Sequence, residues 1–451
     1  MSRLPAVLAS ILLVSACTNA GAPTPEPTSG PPATPGATAT PTVAPTASMP
    51  PAGTVELARS DLARAVVDPA RAAVAADAVK AFGLDLYARI AAEPGNIMIS
   101  PASVAIALSM ARTGARGATA DEMDTVLRGL GSDELADAAS ALDAALAART
   151  GSYPDMTGEE HEVVLSIANA TFAQHDMPME AAFLDAMATR YGAGAWLVDF
   201  AADPEAARLA INAWVADQTE DRIPSILNPG DVTEDWRLAL ANAIYLKAAW
   251  QTPFLEDLTA LGDFRLASGA TISVPTMRGL IDASYGSGDG WAAVELPYVG
   301  RQLAMLIVVP DDLESFESDL DADRLASIVA SLEPGRVELW LPRFDIESRA
   351  DLAELLAALG MPTAFAGEAD FSGITSAMAL TIASVIHQAN MTVDEKGTEA
   401  AAATVVGFDT SGGGPEPAEL RVDRPFLVIL RDVPTGAVVF LGRVADPSLT
   451  R

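Results

Sequence analysis

Apolar and polar positions alternate with two different periods along this chain. In AADAVKAFGLDLYARIAAE (residues 75–93), Val79, Phe82, Leu86 and Ile90 recur at helical spacing, and Pro94-Gly95 ends the run, which predicts a helix. NIMIS (96–100) reads as a short strand. Ser100 is placed to cap a helix with Pro101 at its first position. No charge occurs from Ala102 to Ala111, so that helix should be buried on every side. Thr119 and Glu122 form a capping-box pattern for the next helix. Two more helical stretches, near 132–148 and 202–220, flank strand-like segments such as VVLSIANATFAQ (163–174).

Beyond residue 237 the period shortens. LALANAIYLKAAW, WAAVELPYV, LAMLIVVP, RVELWLPRFDIE, LTIASVIHQANMTVDE and FLVILRDVPTGAVVFLGRVADP have the length and β-branched content of strands. The last is a hairpin turning at Pro434-Thr435-Gly436. Helices dominate early and strands late, with no regular alternation and no repeat of 20 to 50 residues. The pattern is that of an α+β fold and excludes a solenoid.

Composition narrows the function classes. The net charge is −32, from 60 acidic and 28 basic residues, with no Lys/Arg cluster, so no nucleic-acid partner is expected. The three histidines, His161, His175 and His387, are far apart and lack metal-like spacing, and one cysteine permits neither an internal disulfide nor a Cys-rich metal site. No cofactor or metal is expected. A hydrolase is disfavoured by the lack of a G-x-S-x-G elbow and of a Ser/His/Asp set, and a solute receptor by the lack of two similar lobes.

The N-terminal stretch MSRLPAVLASILLVSAC has Arg3, then an apolar run from Leu4 to Ala16 that is too short to span a bilayer but suits a signal peptide. Val14-Ser15-Ala16-Cys17 resembles a bacterial lipobox, in which Cys17 is lipidated; the competing reading is an ordinary secretory signal. A Pro/Thr/Ala-rich tract follows that cannot bury enough apolar surface to fold. The expected organisation is a lipoprotein signal peptide over 1–17, a disordered spacer over 18–65 and one folded domain over 66–451, displayed outside a bacterial cell and held to its membrane only by the lipid on Cys17.

From about residue 70 to 447 the chain resembles the serpins. NIMISPASVAIALSMARTGARGATADEM, LANAIYLKAAWQTPF, VELPYVGRQLAMLIVVPDD, LPRFDIE, VIHQANMTVDEKGTEAAAAT and DRPFLVILRDVPTGAVVFLGRVADP are similar to that family's motifs and occur in its order. The resemblance implies three β-sheets, about nine helices and an exposed reactive-centre loop near the C-terminus. It implies no catalytic residues: the protein would be a monomeric inhibitor of serine proteases acting as a suicide substrate. Its loop is cleaved, and the acyl-enzyme is trapped as the loop inserts as a new strand in the main sheet. The alternative is a non-inhibitory serpin serving as a binding or structural protein at the cell surface.

EKGTEAAAATVVG (395–407) then falls at the loop's hinge, formed by Glu395, Gly397, Thr398, Ala400, Ala401, Ala402, Ala403 and Thr404. Because a strand sends alternate side chains to opposite faces, insertion buries Thr398, Ala400, Ala402 and Thr404, all small and uncharged. Glu399 falls on the other parity, where water is expected, and Gly397 supplies backbone freedom. The resemblance also implies a polar cluster beneath the opening sheet at Ser100, Ser103, Asn242 and His387, and a tryptophan, Trp250, where the loop first enters. One departure is that Lys247-Ala248-Ala249-Trp250 lacks the glycine usual in that motif. Counting from Glu395 puts the scissile bond at Ser411-Gly412; counting back from Pro425 puts it after Gly414, and Thr410 and Phe408 are further candidates. No Lys or Arg lies between Lys396 and Arg421, which points to an elastase-, subtilisin- or chymotrypsin-like target.

Overall fold

The computed structural model describes residues 55–133, 135–399 and 416–449. Nine α-helices occur among them: α1 (Ala72–Ile90), α2 (Pro101–Arg112), α3 (Gly117–Val126), α4 (Ala136–Ala147), α5 (Ala181–Ala186), α6 (Pro204–Gln218), α7 (Leu313–Ser318), α8 (Ala322–Ala330) and α9 (Ala353–Leu359). Six of these nine precede residue 219, whereas most strands follow it, so the α+β division read from the pattern holds. α2 starts as its sequence dictates. Ser100 Oγ accepts from Ser103 N at 3.2 Å, Pro101 opens the helix, and every residue from Pro101 to Ala111 is buried.

The capping box expected at Thr119 and Glu122 is not formed. α3 begins at Gly117, so both residues lie inside it and serve tertiary contacts. Thr119 Oγ1 accepts from Asp370 N, and the Glu122 carboxylate accepts from the amide and hydroxyl of Thr363.

The first sheet runs β1 (Glu56–Ala58), β5 (Ala195–Val198), β4 (Glu160–Gln174), β6 (Leu238–Ala249), β14 (Gly397–Thr398), β13 (Ser384–Val393), β12 (Phe344–Asp351), with β3 (Gly151–Pro154) as a hairpin arm on β4. The second runs β15 (Ala418–Arg421), β11 (Glu333–Pro342), β8 (Thr271–Gly288), β9 (Trp291–Pro297), β10 (Leu303–Pro310), β16 (Phe426–Asp432), β17 (Val438–Val444), β2 (Ile97–Ile99), with β7 (Ala260–Arg265) paired to β8. Two of the three implied sheets are thus joined by hydrogen bonds. The 18-residue β8 pairs with β7 and β11 along most of its length and with β9 at its end, and so belongs to both.

Residues 55–65, expected in the spacer, belong instead to the folded domain. β1 forms the edge of the sheet and pairs with β5, Leu57 opposite Trp196; Ala65 N donates to Thr189 O at 2.8 Å, and Arg64 reaches Ser140 O at 3.0 Å. A three-residue strand is too short to show a period in the sequence, and its place is set by backbone pairing with β5.

The first sheet is covered on both faces, and the period-2 pattern of β6 shows how. Leu238, Leu240, Ile244 and Leu246 pack on one side with α1 and α2, while Ala239, Ala241 and Ala243 meet Ile211, Trp214 and Val215 of α6 on the other. Asn242 shares the parity of the leucines and therefore points toward α2. Tyr245 shares the parity of the alanines.

Candidate functional site

β6 and β13 run parallel and pair directly over six positions, from Ala239 opposite Ser384 to Ile244 opposite Ala389. Above these rows the two strands part, and β14 lies between them, antiparallel to both. Gly397 and Thr398 face Ala249 and Ala248 of β6, and Thr398 also faces Val393 of β13. The first two residues of GTEAAAAT thus already occupy the top of a slot in the sheet, and its lower part is closed.

Glycine is required at the entry. A Cβ on Gly397 would lie 2.1 Å from Ala248 O, and the backbone has φ +154°. Thr398 is buried, and its hydroxyl meets the Tyr298 hydroxyl at 2.6 Å. Burial pushes the Tyr298 phenol up in pKa, so it stays protonated. Trp250 stacks on Tyr298 with ring centroids 4.5 Å apart. Its Nε1 donates to Asp394 O at 3.0 Å and its amide to Lys396 O at 2.8 Å, which pins the turn before the hinge.

Glu395 is buried and held by Arg343 Nε at 2.8 Å and by the Thr259 hydroxyl. Burial alone would raise its pKa, but the hydrogen bonds from Arg343 and Thr259 outweigh that and hold it below the usual glutamate range. Glu399 corrects the sequence reading. Its parity is opposite to that of Thr398, as expected, but that face is not open to water here. The segment after α6 covers it: Arg222 Nε lies 3.2 Å from Glu399 Oε2, and the Glu399 side chain is only 4% exposed. Tyr245 lies on the same face. Burial, then the Glu399 charge, pushes its phenol up in pKa. Glu399 also takes a left-handed conformation, φ +49°.

The lower cluster assembles Ser100, Ser103, Asn242 and His387, all fully buried. Ser100 N–H donates to His387 Nε2 at 3.0 Å, so that nitrogen is bare and the ring proton sits on Nδ1, donating to Asn242 Oδ1. Asn242 Nδ2 in turn donates to Ser103 Oγ and to Asn169 Oδ1. Burial brings the His387 pKa down to about 3, so the ring is neutral at ordinary pH. The network ties α2, β4, β6 and β13 together below β14, where β6 and β13 pair directly.

Sequence reasoning missed five partners: Asn169, Tyr298, Arg343, Tyr245 and Arg222. Asn169 carried a signal, being an amide within an otherwise apolar strand, and it sits directly opposite Asn242 in the β4–β6 register. The other four are placed by tertiary contacts alone. Ala400, Ala401, Ala402, Ala403 and Thr404 lie outside the described residues, as do Phe408, Thr410, Ser411, Gly412, Gly414 and Cys17.

Comparison with known proteins agrees with this geometry. The family model described as Serpin (serine protease inhibitor) matches residues 77–447. The leukocyte elastase inhibitor of Bos taurus is 35% identical over 379 residues, covering 81% of this chain and 97% of that protein. Among solved structures, the thermophilic serpin tengpin in its native state superimposes with a TM-score of 0.76 at 23% identity, over 87% of this chain and 100% of that one. Thyroxine-binding globulin in complex with thyroxine gives 0.72 at 27% identity, over 83% and 100%. The chain belongs to the serpin family, whose members are mostly inhibitors of proteases rather than enzymes.

Proposed function

We propose that this protein inhibits serine proteases as a suicide substrate, by inserting its cleaved loop between β6 and β13. The observation that carries this reading is β14, which lies in the slot and is antiparallel to both neighbours, with the loop leading on from it. Extending β14 downward replaces one β6–β13 ladder by two. Ten or more added hydrogen bonds, at about 1 kcal/mol net each, contribute on the order of 10 kcal/mol. The uncleaved form is therefore held kinetically.

The target follows from the loop's chemistry. A trypsin-like pocket ends in a carboxylate that needs a cation from the substrate, and none is available between Lys396 and Arg421. Cleavage after Ser411, or after Thr410, Phe408 or Gly414, suits elastase-, subtilisin- or chymotrypsin-like enzymes. The test is incubation with these three and with trypsin, followed by denaturing electrophoresis and mass measurement of the released C-terminal peptide. A covalent complex with one of the three is expected. Clean cleavage by all, with no complex, would instead favour a non-inhibitory binding protein, a reading that a thyroxine-binding neighbour keeps in view. For the anchor, lipid on Cys17 would put the wild-type protein in the membrane fraction and Cys17→Ala in the soluble one.

A further inference from the structure

The β3–β4 hairpin carries a group of side chains that the inhibitory reading leaves unused. Asp155 opens the hairpin turn, Glu159 closes it, and His161 is the second residue of β4, opposite Tyr153. One ligand atom from each of the three lies within 4.8 Å of the others. The His161 ring is 92% buried, and its Nε2 stands 3.2 Å from Asp155 Oδ2.

The other Asp155 oxygen is fully engaged. Oδ1 accepts from the amide and hydroxyl of Thr157, both at 2.7 Å, and from Glu159 N at 3.0 Å. Orienting one oxygen in this way leaves the second aimed at the imidazole, the arrangement that supporting hydrogen bonds give to metal ligands. Among the described residues no Lys or Arg pairs with Asp155 or Glu159, and the neighbouring Glu162 already takes Lys247. The turn therefore carries two carboxylates with no cationic Lys or Arg beside them among the described residues.

We propose that Asp155, Glu159 and His161 form a binding site for a divalent cation of the zinc type. Zinc–nitrogen and zinc–oxygen bonds of about 2.0–2.2 Å at a tetrahedral angle put neighbouring ligand atoms about 3.3–3.6 Å apart. The observed 3.2 Å between imidazole and carboxylate needs only a small adjustment to share one ion, and exposed Glu159 closes the third position. A water would complete the fourth. The imidazole selects against magnesium and calcium, which favour all-oxygen shells. The histidine spacing read from the sequence missed this set because two of its three ligands are carboxylates.

The site lies beside the top of the slot. Thr252, two residues after Trp250, donates to Met156 Sδ in the same turn at 3.6 Å, and Lys247 of β6 pairs with Glu162. An ion would brace this turn beside the end of β6, the strand against which the hinge residues Gly397 and Thr398 pair.

Calorimetric titration of chelator-treated full-length protein with zinc chloride tests the assignment, and it does not depend on inhibitory activity. One equivalent binding at micromolar concentration or tighter is expected, with a rise in unfolding temperature. Glu159→Gln, an exposed side chain whose removal leaves the hairpin bonds in place, should weaken binding at least tenfold and remove the thermal shift. His161→Ala should weaken it further. His175→Ala should change nothing, although His175 Nδ1 lies 3.8 Å from Asp199 in a second, exposed pair. Absence of binding by the wild type overturns the proposal. So does wild-type affinity in both Glu159→Gln and His161→Ala, or loss of binding in His175→Ala.

Discussion

The upper and lower parts of the β6–β13 slot are built differently. At the top the strands are already parted, and the hinge is held by charged pairs with one buried and one half-exposed member: Glu395 with Arg343, Glu399 with Arg222. Below, the strands pair directly, and a neutral network around His387 closes them from the α2 side, with no charged group in it. Charged pairs reaching solvent are weakened by salt and can exchange partners. A buried neutral network costs the desolvation of several groups at once when it is broken. On the proposed mechanism, insertion would begin at the top, and the network below would oppose its propagation.

The largest expected effect comes from blocking the entry. Thr398 is buried before any cleavage, against Tyr298, so Thr398→Arg would have to expel β14 from the sheet to keep its charge in water. Only two residues pair there, and the rest of the fold should survive. A penalty of about 3 kcal/mol on insertion slows it more than a hundredfold relative to product release. The number of inhibitor molecules consumed per protease inactivated should therefore rise steeply. An unchanged ratio would mean that this hinge does not insert.

Next is the lower network, which pH should address separately from the top. The His387 pKa is depressed to about 3, while an unfolded histidine titrates near 6.5. Between these values only the unfolded chain binds the proton. The contribution is therefore complete above about pH 6.5 and declines as pH falls toward 3, by up to about 1.4 kcal/mol per unit, or roughly 2 kcal/mol by pH 5. His387→Gln should be less stable at neutral pH but should lose this slope. Glu395 has a depressed carboxylate pKa, so its contribution is present above the unfolded value and is lost below it, in more acidic solution. Glu395→Gln should flatten only that acid limb. Denaturant titrations across pH 3–8 distinguish the two; one shared slope altered equally by both variants would show that the two regions do not act separately.

How far the sequence announced these two regions depends on whether local pattern or register decides the position. Ser100, Pro101 and the uncharged stretch behind them specify α2 locally, and the period of β6 sends Asn242 to the same side as Leu240 and Ile244. The parity of Thr398 against Glu399 was likewise readable. What covers the Glu399 face was not, because the segment after α6 is brought there by packing of Ile211, Trp214 and Val215 on the sheet. Asn169 joins Asn242 only through the β4–β6 register, which no local pattern sets. β8 went unrecognised because Arg278, Gly279 and Asp282 interrupt its alternation; its continuity comes from pairing with β7, β11 and β9.

The smallest expected effect concerns the clasp over the top of the slot. Arg222 reaches Glu399 with its side chain, while its carbonyl accepts from Asn390 of β13 at 3.4 Å, so one residue spans both the hinge and the strand beside it. The guanidinium is half exposed, which limits the pair to about 1 kcal/mol or less. Arg222→Ala and Glu399→Gln should each lower the stability of the uncleaved protein by about that much. The double variant should lose little more than either single one, since the second change removes a group whose partner is already gone. Raising the salt should shrink the coupling further. Fully additive losses, unchanged by salt, would show that Glu399 is buried for packing alone and that the hinge owes nothing to Arg222, leaving Glu395 and Arg343 as the charged pair that sets the upper region apart.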